Sequence, residues 1–195
     1  MSNLSTTSDE VLASARTLII AGGYNGFSYA DIAKEVGIRK ASIHHHFPSK
    51  VDLVRTLVKR HRENAEQAMA ELERNIADPL DLIQTYAGYW AKCIEDTSIP
   101  FCVCALLASE VPVLPPEVSL EVRAYFRFLS SWLTSVMERG AQEGSLQLSG
   151  DARTEAEAFM ATVHGAMLSA RAYGSPAVFG TILAPSLQRL ASRAA

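Results

Sequence analysis

The residue types best suited to contacting another molecule are concentrated between positions 39 and 45. The cationic, small and hydrogen-bonding residues of this stretch are Arg39, Lys40, Ala41, Ser42, His44 and His45. Side chains of these types donate hydrogen bonds to phosphates and base edges, and they are the kind that enter a major groove. The chemistry that this stretch predicts is therefore recognition of double-stranded DNA.

Two short predicted helices, 29–36 and 40–47, would position these side chains. Ser28 is expected to cap the first helix, and Gly37 to end it, because glycine readily takes the left-handed conformation of a sharp turn. The apolar residues that would fix the crossing of the two helices are Ile32, Ala33, Val36, Ile38, Ile43 and Phe47. The pattern predicts a helix-turn-helix, although the spacing alone also fits a plain helical corner without DNA.

The charge distribution favours DNA binding by the same end of the chain. Residues 1–62 contain nine Lys or Arg and five Asp or Glu, a formal net charge of +4. The whole chain carries −3, which leaves −7 for the remainder. A basic head on an acidic body is expected where the head alone meets a polyanion.

Helical periodicity and turn signals predict an all-α fold for the whole chain. A first helix is expected at 8–22 with Ser8 as its cap, and Ser49 and Asp78 precede two later helices. The remaining helices are predicted at 50–75, 79–96, 101–110 (opened by Pro100), 117–143, 151–173 and 176–193, the last kinked or split at Pro185. We expect a three-helix head over residues 1–50 and a C-terminal helical domain over 51–195.

The head resembles the DNA-binding domain of the TetR/AcrR family of transcriptional regulators. The resemblance covers residues 12–60 and is carried by Gly26-Phe27-Ser28, Asp31-Ile32-Ala33, Val36-Gly37-Ile38, Ser42-Ile43, His45-His46-Phe47-Pro48-Ser49-Lys50 and Asp52-Leu53. It implies that Ser28 and Lys50 contact phosphates. It also implies that bases and backbone are contacted by Lys40, Ala41, Ser42, His44 and His45. The family usually has tyrosine where this chain has His44, which can still donate to a phosphate.

A metal site at His44-His45-His46 is not expected, because successive residues on a helix point about 100° apart. His46 is instead expected to pack under the motif beside Phe47. The sequence offers no nucleophile elbow, phosphate-cradling glycine loop or paired carboxylates in a plausible site. We therefore expect neither an enzyme nor a cofactor. The alternatives kept open are an interaction protein whose head no longer binds DNA and, less favoured, a small all-α enzyme.

By resemblance, the C-terminal domain would bind a small effector, and its last two helices would form a homodimer interface. Small residues that permit close helix approach recur along 151–173: Ala158, Ala161, Gly165, Ala166, Ser169 and Ala172. The last helix carries an apolar stripe of Leu183, Leu187 and Leu190. Packing within one chain would produce the same pattern.

Candidate effector-binding residues lie on the middle helices, and the polar Tyr89 and His164 are favoured among them. The candidates are Tyr86, Tyr89, Trp90, Cys93, Phe101, Cys102, Cys104, Phe126, Trp132, Phe159, Met160 and His164. For each of them taken singly, packing in the core is the favoured role. Cys102 is expected in the first turn of a helix, where the helix dipole would lower the thiol pKa and suit sensing of an electrophile or oxidant. The alternative for Cys102 and Cys104 is a small buried hydrophobe.

Hydropathy, the N-terminal sequence and the cysteine content indicate in which compartment the protein is expected. No apolar run reaches the roughly 18 residues of a membrane span, and the N-terminus lacks a basic region followed by an apolar stretch. Three cysteines without a disulfide framework fit a reducing cytosol. The sequence thus predicts a cytoplasmic, ligand-responsive regulator, a repressor that a small effector releases from its double-stranded operator.

Overall fold

The computed structural model describes residues 7–96 and 101–191, and within them the fold is built from nine α-helices and no β-strand. The helices are α1 (Thr7–Gly22), α2 (Tyr29–Val36), α3 (Lys40–His46), α4 (Lys50–Asn75), α5 (Pro79–Glu95), α6 (Val103–Ala108), α7 (Pro116–Glu143), α8 (Ala152–Tyr173) and α9 (Ala177–Leu190). Short 3₁₀ turns lie at Tyr24–Gly26 and Val111–Val113. The all-α prediction is confirmed.

Local side chains begin these helices as the sequence predicts. The Ser28 hydroxyl accepts from the Ala30 N–H at 3.2 Å and caps α2. Ser49 Oγ accepts from the Asp52 N–H at 3.1 Å at the start of α4. The Asp78 carboxylate accepts from the Asp81 N–H at 3.0 Å at the start of α5. Each bond satisfies an N–H that has no partner inside its helix.

Two expectations about helix ends are wrong, and one of the two alternatives at Pro185 is excluded. Ser8 lies inside α1 (Thr7–Gly22), so Ser8 is not the cap. The helix predicted at 101–110 is shorter, Val103–Ala108, and a separate 3₁₀ turn follows it. α9 continues past Pro185 to Leu190, so its last turn is not split off. Pro100, predicted to open the sixth helix, and residues 192–193 lie outside the described residues.

The described residues fall into two compact units, drawn from 1–64 with 100–125 and from 65–99 with 126–195. Both α4 and α7 contribute residues to each unit. The segment 100–125 groups with the N-terminal head although it follows the head by many residues in sequence. The predicted division at residue 50 stays a prediction.

The core of the first unit is formed where α1 packs against α2 and α3. Val11, Ile19, Ile32, Ile43 and Leu53 are all at most 1% exposed. Burial of each such side chain contributes about 1.5–3 kcal/mol to folding. This core holds the two short helices in place, since helices of this length are not stable alone in water.

In the second unit, α8 and α9 pack along each other, and α5 packs against both. A carboxylate is buried in this packing: Glu155 of α8 accepts from Arg189 of α9 at 3.0 Å and from the Ser149 N–H at 3.1 Å. A buried charge is tolerated because it is paired and hydrogen-bonded. The outer side of α8 leaves Leu168 and Tyr173 42% and 76% exposed.

Candidate DNA interface and effector site

The turn between α2 and α3 has the geometry of a helix-turn-helix. Gly37 ends α2 in the left-handed conformation, with φ 75° and ψ 29°, and its N–H donates to the Ala33 carbonyl. α3 begins three residues later, and Ile32, Ile43 and Phe47 are buried beneath the pair. Ser14 of α1 donates to Glu35 of α2 at 2.8 Å and fastens the motif to the first helix. The prediction of a helix-turn-helix is confirmed.

The residues predicted to enter the major groove lie together on the surface of α3 or just before it. Arg39 precedes the helix in extended backbone, and all six side chains are exposed: Arg39, Lys40, Ala41, Ser42, His44 and His45. The buried residues of α3 and those predicted to read DNA thus lie on different faces. Their roles toward DNA remain predictions.

His44 is held from two directions. Its ring lies 4.8 Å from the Tyr29 ring, and Nδ1 lies 3.2 Å from the Pro48 carbonyl oxygen. Nδ1 must carry a proton to donate to that carbonyl, so the neutral ring offers Nε2 as an acceptor.

Tyr29, which lies beside His44, is itself fixed. Burial and Asp52 raise the pKa of Tyr29 to about 12, and the Tyr29 hydroxyl donates to the Phe47 carbonyl at 2.9 Å.

His46 does not pack under the motif as predicted. Its side chain is exposed, and the centroids of the His46 and Phe47 rings are 6.4 Å apart. Phe47, not His46, is buried beneath the motif together with Ile32 and Ile43. In the described part of the chain, no three His, Cys, Asp or Glu side chains are arranged to hold a metal ion.

Ser28 takes part in a capping box. Its hydroxyl and its N–H both donate to the Asp31 carboxylate at 2.7 Å. Both hydrogen bonds lower the pKa of Asp31, and the bond from the hydroxyl does so more than the bond from the N–H. The Ser28 hydroxyl is thus engaged within the head, and its contact with a phosphate stays a prediction.

Lys50 lies against the turn that precedes α2. Its ammonium lies 4.0 Å from the centroid of the Phe27 ring and 4.9 Å from that of Tyr24, and it donates to the Phe27 carbonyl. Burial lowers the pKa of Lys50, while Asp31 and Glu110 oppose this shift. The phosphate contact that the resemblance implies for Lys50 stays a prediction.

Most of the predicted effector-binding residues lie in the second unit, where two aromatic pairs form. Tyr86 and Trp132 have ring centroids 5.7 Å apart, and those of Phe126 and His164 are 5.0 Å apart. The other buried candidates of this unit are Trp90, Cys93, Phe159 and Met160. Tyr89, favoured from sequence, is 52% exposed.

Several buried polar atoms of the second unit, Arg139 Nε among them, have no hydrogen-bond partner among the described residues. Three of these atoms belong to predicted effector-binding residues: Nε1 of Trp90, Nε1 of Trp132 and Nε2 of His164. His164 Nδ1 lies 3.0 Å from the Met160 carbonyl, and burial lowers the pKa of His164 to about 4. The imidazole is therefore neutral at pH 7, as the two indoles are. All three rings can form a hydrogen bond to a ligand without carrying a charge.

Phe101, Cys102 and Cys104 belong to the first unit. Cys102 Sγ lies 3.7 Å from the Tyr125 hydroxyl and 3.8 Å from His61 Nε2. Both thiols are fully buried, and burial raises the pKa of Cys102 and, further, that of Cys104. The expectation of a lowered thiol pKa is wrong, because loss of hydration outweighs the start of a six-residue helix. The pKa of His61 is lowered to about 4, mainly by burial and to a smaller extent by the positive charge of Arg16.

Comparison with known proteins identifies the family. The model of the tetR family of bacterial regulatory proteins matches residues 11–57, and the tetracyclin repressor-like C-terminal domain matches residues 79–184. The chain belongs to the TetR family. It is accordingly a transcriptional regulator with a DNA-binding helix-turn-helix, as the sequence predicts. No helix of the described ranges is long and apolar enough to cross a membrane.

Individual relatives agree with this assignment. A TetR-family regulator from Agrobacterium tumefaciens is 64% identical, with a TM-score of 0.92 over 94% of this chain and 97% of that one. A TetR regulator from Legionella pneumophila is 27% identical, with a TM-score of 0.87 over 97% of this chain and 100% of that one. IcaR of Staphylococcus aureus, a negative regulator of the icaADBC biofilm operon, is 43% identical over 51 residues. That match spans 26% of this chain and 27% of IcaR.

Proposed function

We propose that this TetR-family regulator is a repressor that a small effector releases from its operator DNA. The observation that carries the proposal is the exposed cationic and hydrogen-bonding surface of α3, opposite an apolar face formed by the buried Ile32, Ile43 and Phe47. The likeness of the head to IcaR, a negative regulator, supports repression. The protein would act in the cytoplasm and have no catalytic activity.

The working form is a homodimer through α8 and α9. The outer side of α8 carries small exposed residues beside the exposed Leu168 and Tyr173, and such a surface allows close packing of a second copy. The small exposed residues are Ala158, Ala161, Gly165 and Ala172. Two recognition helices about 34 Å apart would match successive major grooves on one face of DNA.

The effector binds among the helices of the second unit. A buried polar atom without a partner costs about 1–3 kcal/mol, which a ligand that supplies the partner recovers. Trp90 and Trp132 can only donate, so the ligand carries hydrogen-bond acceptors. Because neighbouring side chains such as Tyr86 and Phe159 are aromatic and buried, the ligand is otherwise apolar and uncharged.

Binding of the effector would be transmitted along α4, whose residues belong to both units. A coupling free energy of about 1–3 kcal/mol, typical of such linkage, changes operator affinity several-fold to about a hundred-fold. This is enough to switch a promoter.

The test is a fluorescence-anisotropy titration of the full chain with DNA from upstream of its own gene, against scrambled DNA, at two salt concentrations. We expect selective binding that weakens steeply with salt, because phosphate contacts release counterions. Lys40→Ala should weaken binding, whereas Lys59→Ala, which removes the same charge from the exposed side of α4, should change it little. If upstream and scrambled DNA bind equally, a selection of bound genomic fragments follows, and enrichment of none would contradict the proposal and favour an interaction protein.

A further inference from the structure

The turn between α1 and α2 sets the direction in which the helix-turn-helix leaves the first helix. α1 ends at Gly22, Gly23 has φ +75°, and the 3₁₀ turn Tyr24–Gly26 leads to Phe27 in extended backbone. Tyr24 and Phe27 are 8% and 5% exposed. Ser28, the cap of α2, follows at once, so displacement of this turn displaces α2.

A carboxylate from a distant part of the chain holds the start of this turn. The Tyr24 N–H donates to Glu110 Oε2 at 3.0 Å, across 86 positions of sequence. A Cβ at residue 23 would meet the Glu110 carboxylate, the far end of a flexible side chain, which would have to shift. The positive φ of Gly23 favours glycine at this position, and the substitution of any larger residue would also disturb the carboxylate.

Glu110 itself is fixed by its backbone. Its N–H donates to the Leu107 carbonyl at 3.0 Å, and its carbonyl accepts from the N–H groups of Val113 and Leu114 at 2.9 and 3.1 Å. The carboxylate thus extends from a well-held position between α6 and the 3₁₀ turn Val111–Val113.

Lys50 holds the other end of the same turn. Its ammonium donates to the Phe27 carbonyl and lies over the Tyr24 and Phe27 rings. An acidic side chain therefore holds the Tyr24 N–H near the start of the turn, and a basic one holds the Phe27 carbonyl at its end. Lys50 comes from the adjoining α4, but Glu110 lies within 79–184, which matches the C-terminal domain of the family. The folded chain groups Glu110 with the head.

We propose that Glu110 is a positioning residue for DNA binding: it holds the turn Gly23–Phe27, and with it α2 and α3, in the orientation that fits the operator. Movement of the 101–115 segment would release the turn and lower operator affinity. This inference rests on the proposed function, because its main readout is selective DNA binding.

A matched pair of variants isolates the hydrogen bond from the charge. Glu110→Gln and Glu110→Met remove the same negative charge and keep a similar length, but only glutamine retains an acceptor for the Tyr24 N–H. We expect Glu110→Met to bind DNA from upstream of the gene about tenfold more weakly than Glu110→Gln, or about 1.4 kcal/mol. Affinity for scrambled DNA should be equal in the two variants, because it depends on charge and not on orientation. Glu10→Gln, an exposed charge change in the same unit, is the control.

Hydrogen exchange provides an independent readout. The Tyr24 amide should exchange faster in Glu110→Met than in Glu110→Gln, while amides of the buried α1 core stay equally protected. Equal selectivity and equal Tyr24 exchange in the two variants would overturn the inference. If the wild-type protein shows no selective DNA binding, the proposed function fails, and the exchange comparison alone decides whether Glu110 holds the turn.

Discussion

The imidazole of His164 lies against the ring of Phe126, with 5.0 Å between ring centroids and the planes 49° apart. Its Nδ1 faces the Met160 carbonyl, and its Nε2 is buried without a partner in the described ranges. A second histidine, His61, is half-buried, and its ring lies 5.1 Å from the Tyr125 ring. Burial keeps both rings neutral at pH 7, which has a consequence for acid stability.

Stability should fall between pH 6.5 and about 4. Burial lowers the pKa of both His61 and His164 from 6.5 to about 4, so the unfolded chain binds protons more readily in this range. The contribution of the two neutral histidines to stability is therefore fully present above about pH 6.5 and is lost as the pH falls towards 4. Each histidine should contribute a loss of about 1–2 kcal/mol in the free energy of unfolding between pH 7 and pH 5.

Chemical denaturation of variants at the two pH values checks this prediction. His164→Gln should lose less stability than the wild type between pH 7 and pH 5, and His45→Gln, a change at an exposed position, should behave like the wild type. A wild-type slope in His164→Gln would show that the buried imidazole does not carry the effect.

The intrinsic fluorescence of the protein should report effector binding. The chain has two tryptophans, Trp90 and Trp132, and both lie in the second unit. The Nε1 of each is buried and has no hydrogen-bond partner in the part of the chain that the structure describes. A ligand that accepts from an indole N–H changes its surroundings and should shift its emission. Compounds that release DNA should therefore change the emission of the protein, and Trp90→Phe and Trp132→Phe should tell which indole responds. Release of DNA with unchanged emission in both variants would argue against this binding site.

The thiols of the native protein should react slowly with iodoacetamide near neutral pH. Cys102 and Cys104 are fully buried, and burial raises the pKa of both, so little reactive thiolate is present. We expect labelling at least about tenfold slower than in guanidinium-unfolded protein. Release of DNA by quinones or aldehydes, if it occurs, should persist in a Cys102→Ala/Cys104→Ala variant. Loss of that release would restore the sensor hypothesis.

The elements could be predicted from sequence because their signals are local. Ser28 and Asp31 are three residues apart, and the glycine at 37 marks a turn by its own conformational preference. The contact of Glu110 with Tyr24 left no such signal, because it joins positions 86 residues apart and forms only when the first unit packs. The thiol pKa of Cys102 was mispredicted for the same reason: its burial depends on tertiary contacts with residues such as Tyr125.

Substitution of Gly23 should be coupled energetically to Glu110, and substitution of Gly37 should not. Both glycines have φ +75°, so alanine at either is strained, but only the Cβ at 23 meets another group. Gly23→Ala must displace the Glu110 carboxylate and so break its bond to the Tyr24 N–H. Such a bond to a charged acceptor contributes about 1.5–3 kcal/mol.

A double-mutant cycle with Glu110→Ala checks this coupling. Backbone strain at residue 23 is common to both backgrounds and cancels, so Gly23→Ala should cost about 1–2 kcal/mol less stability in Glu110→Ala than in the wild type. The matched cycle of Gly37→Ala with Glu110→Ala should be additive, because no heavy atom lies within 4 Å of a Cβ at Gly37. Additivity in both cycles would mean that the carboxylate does not hold the turn, and the orientation of α2 and α3 would then depend on Lys50 and the buried rings alone.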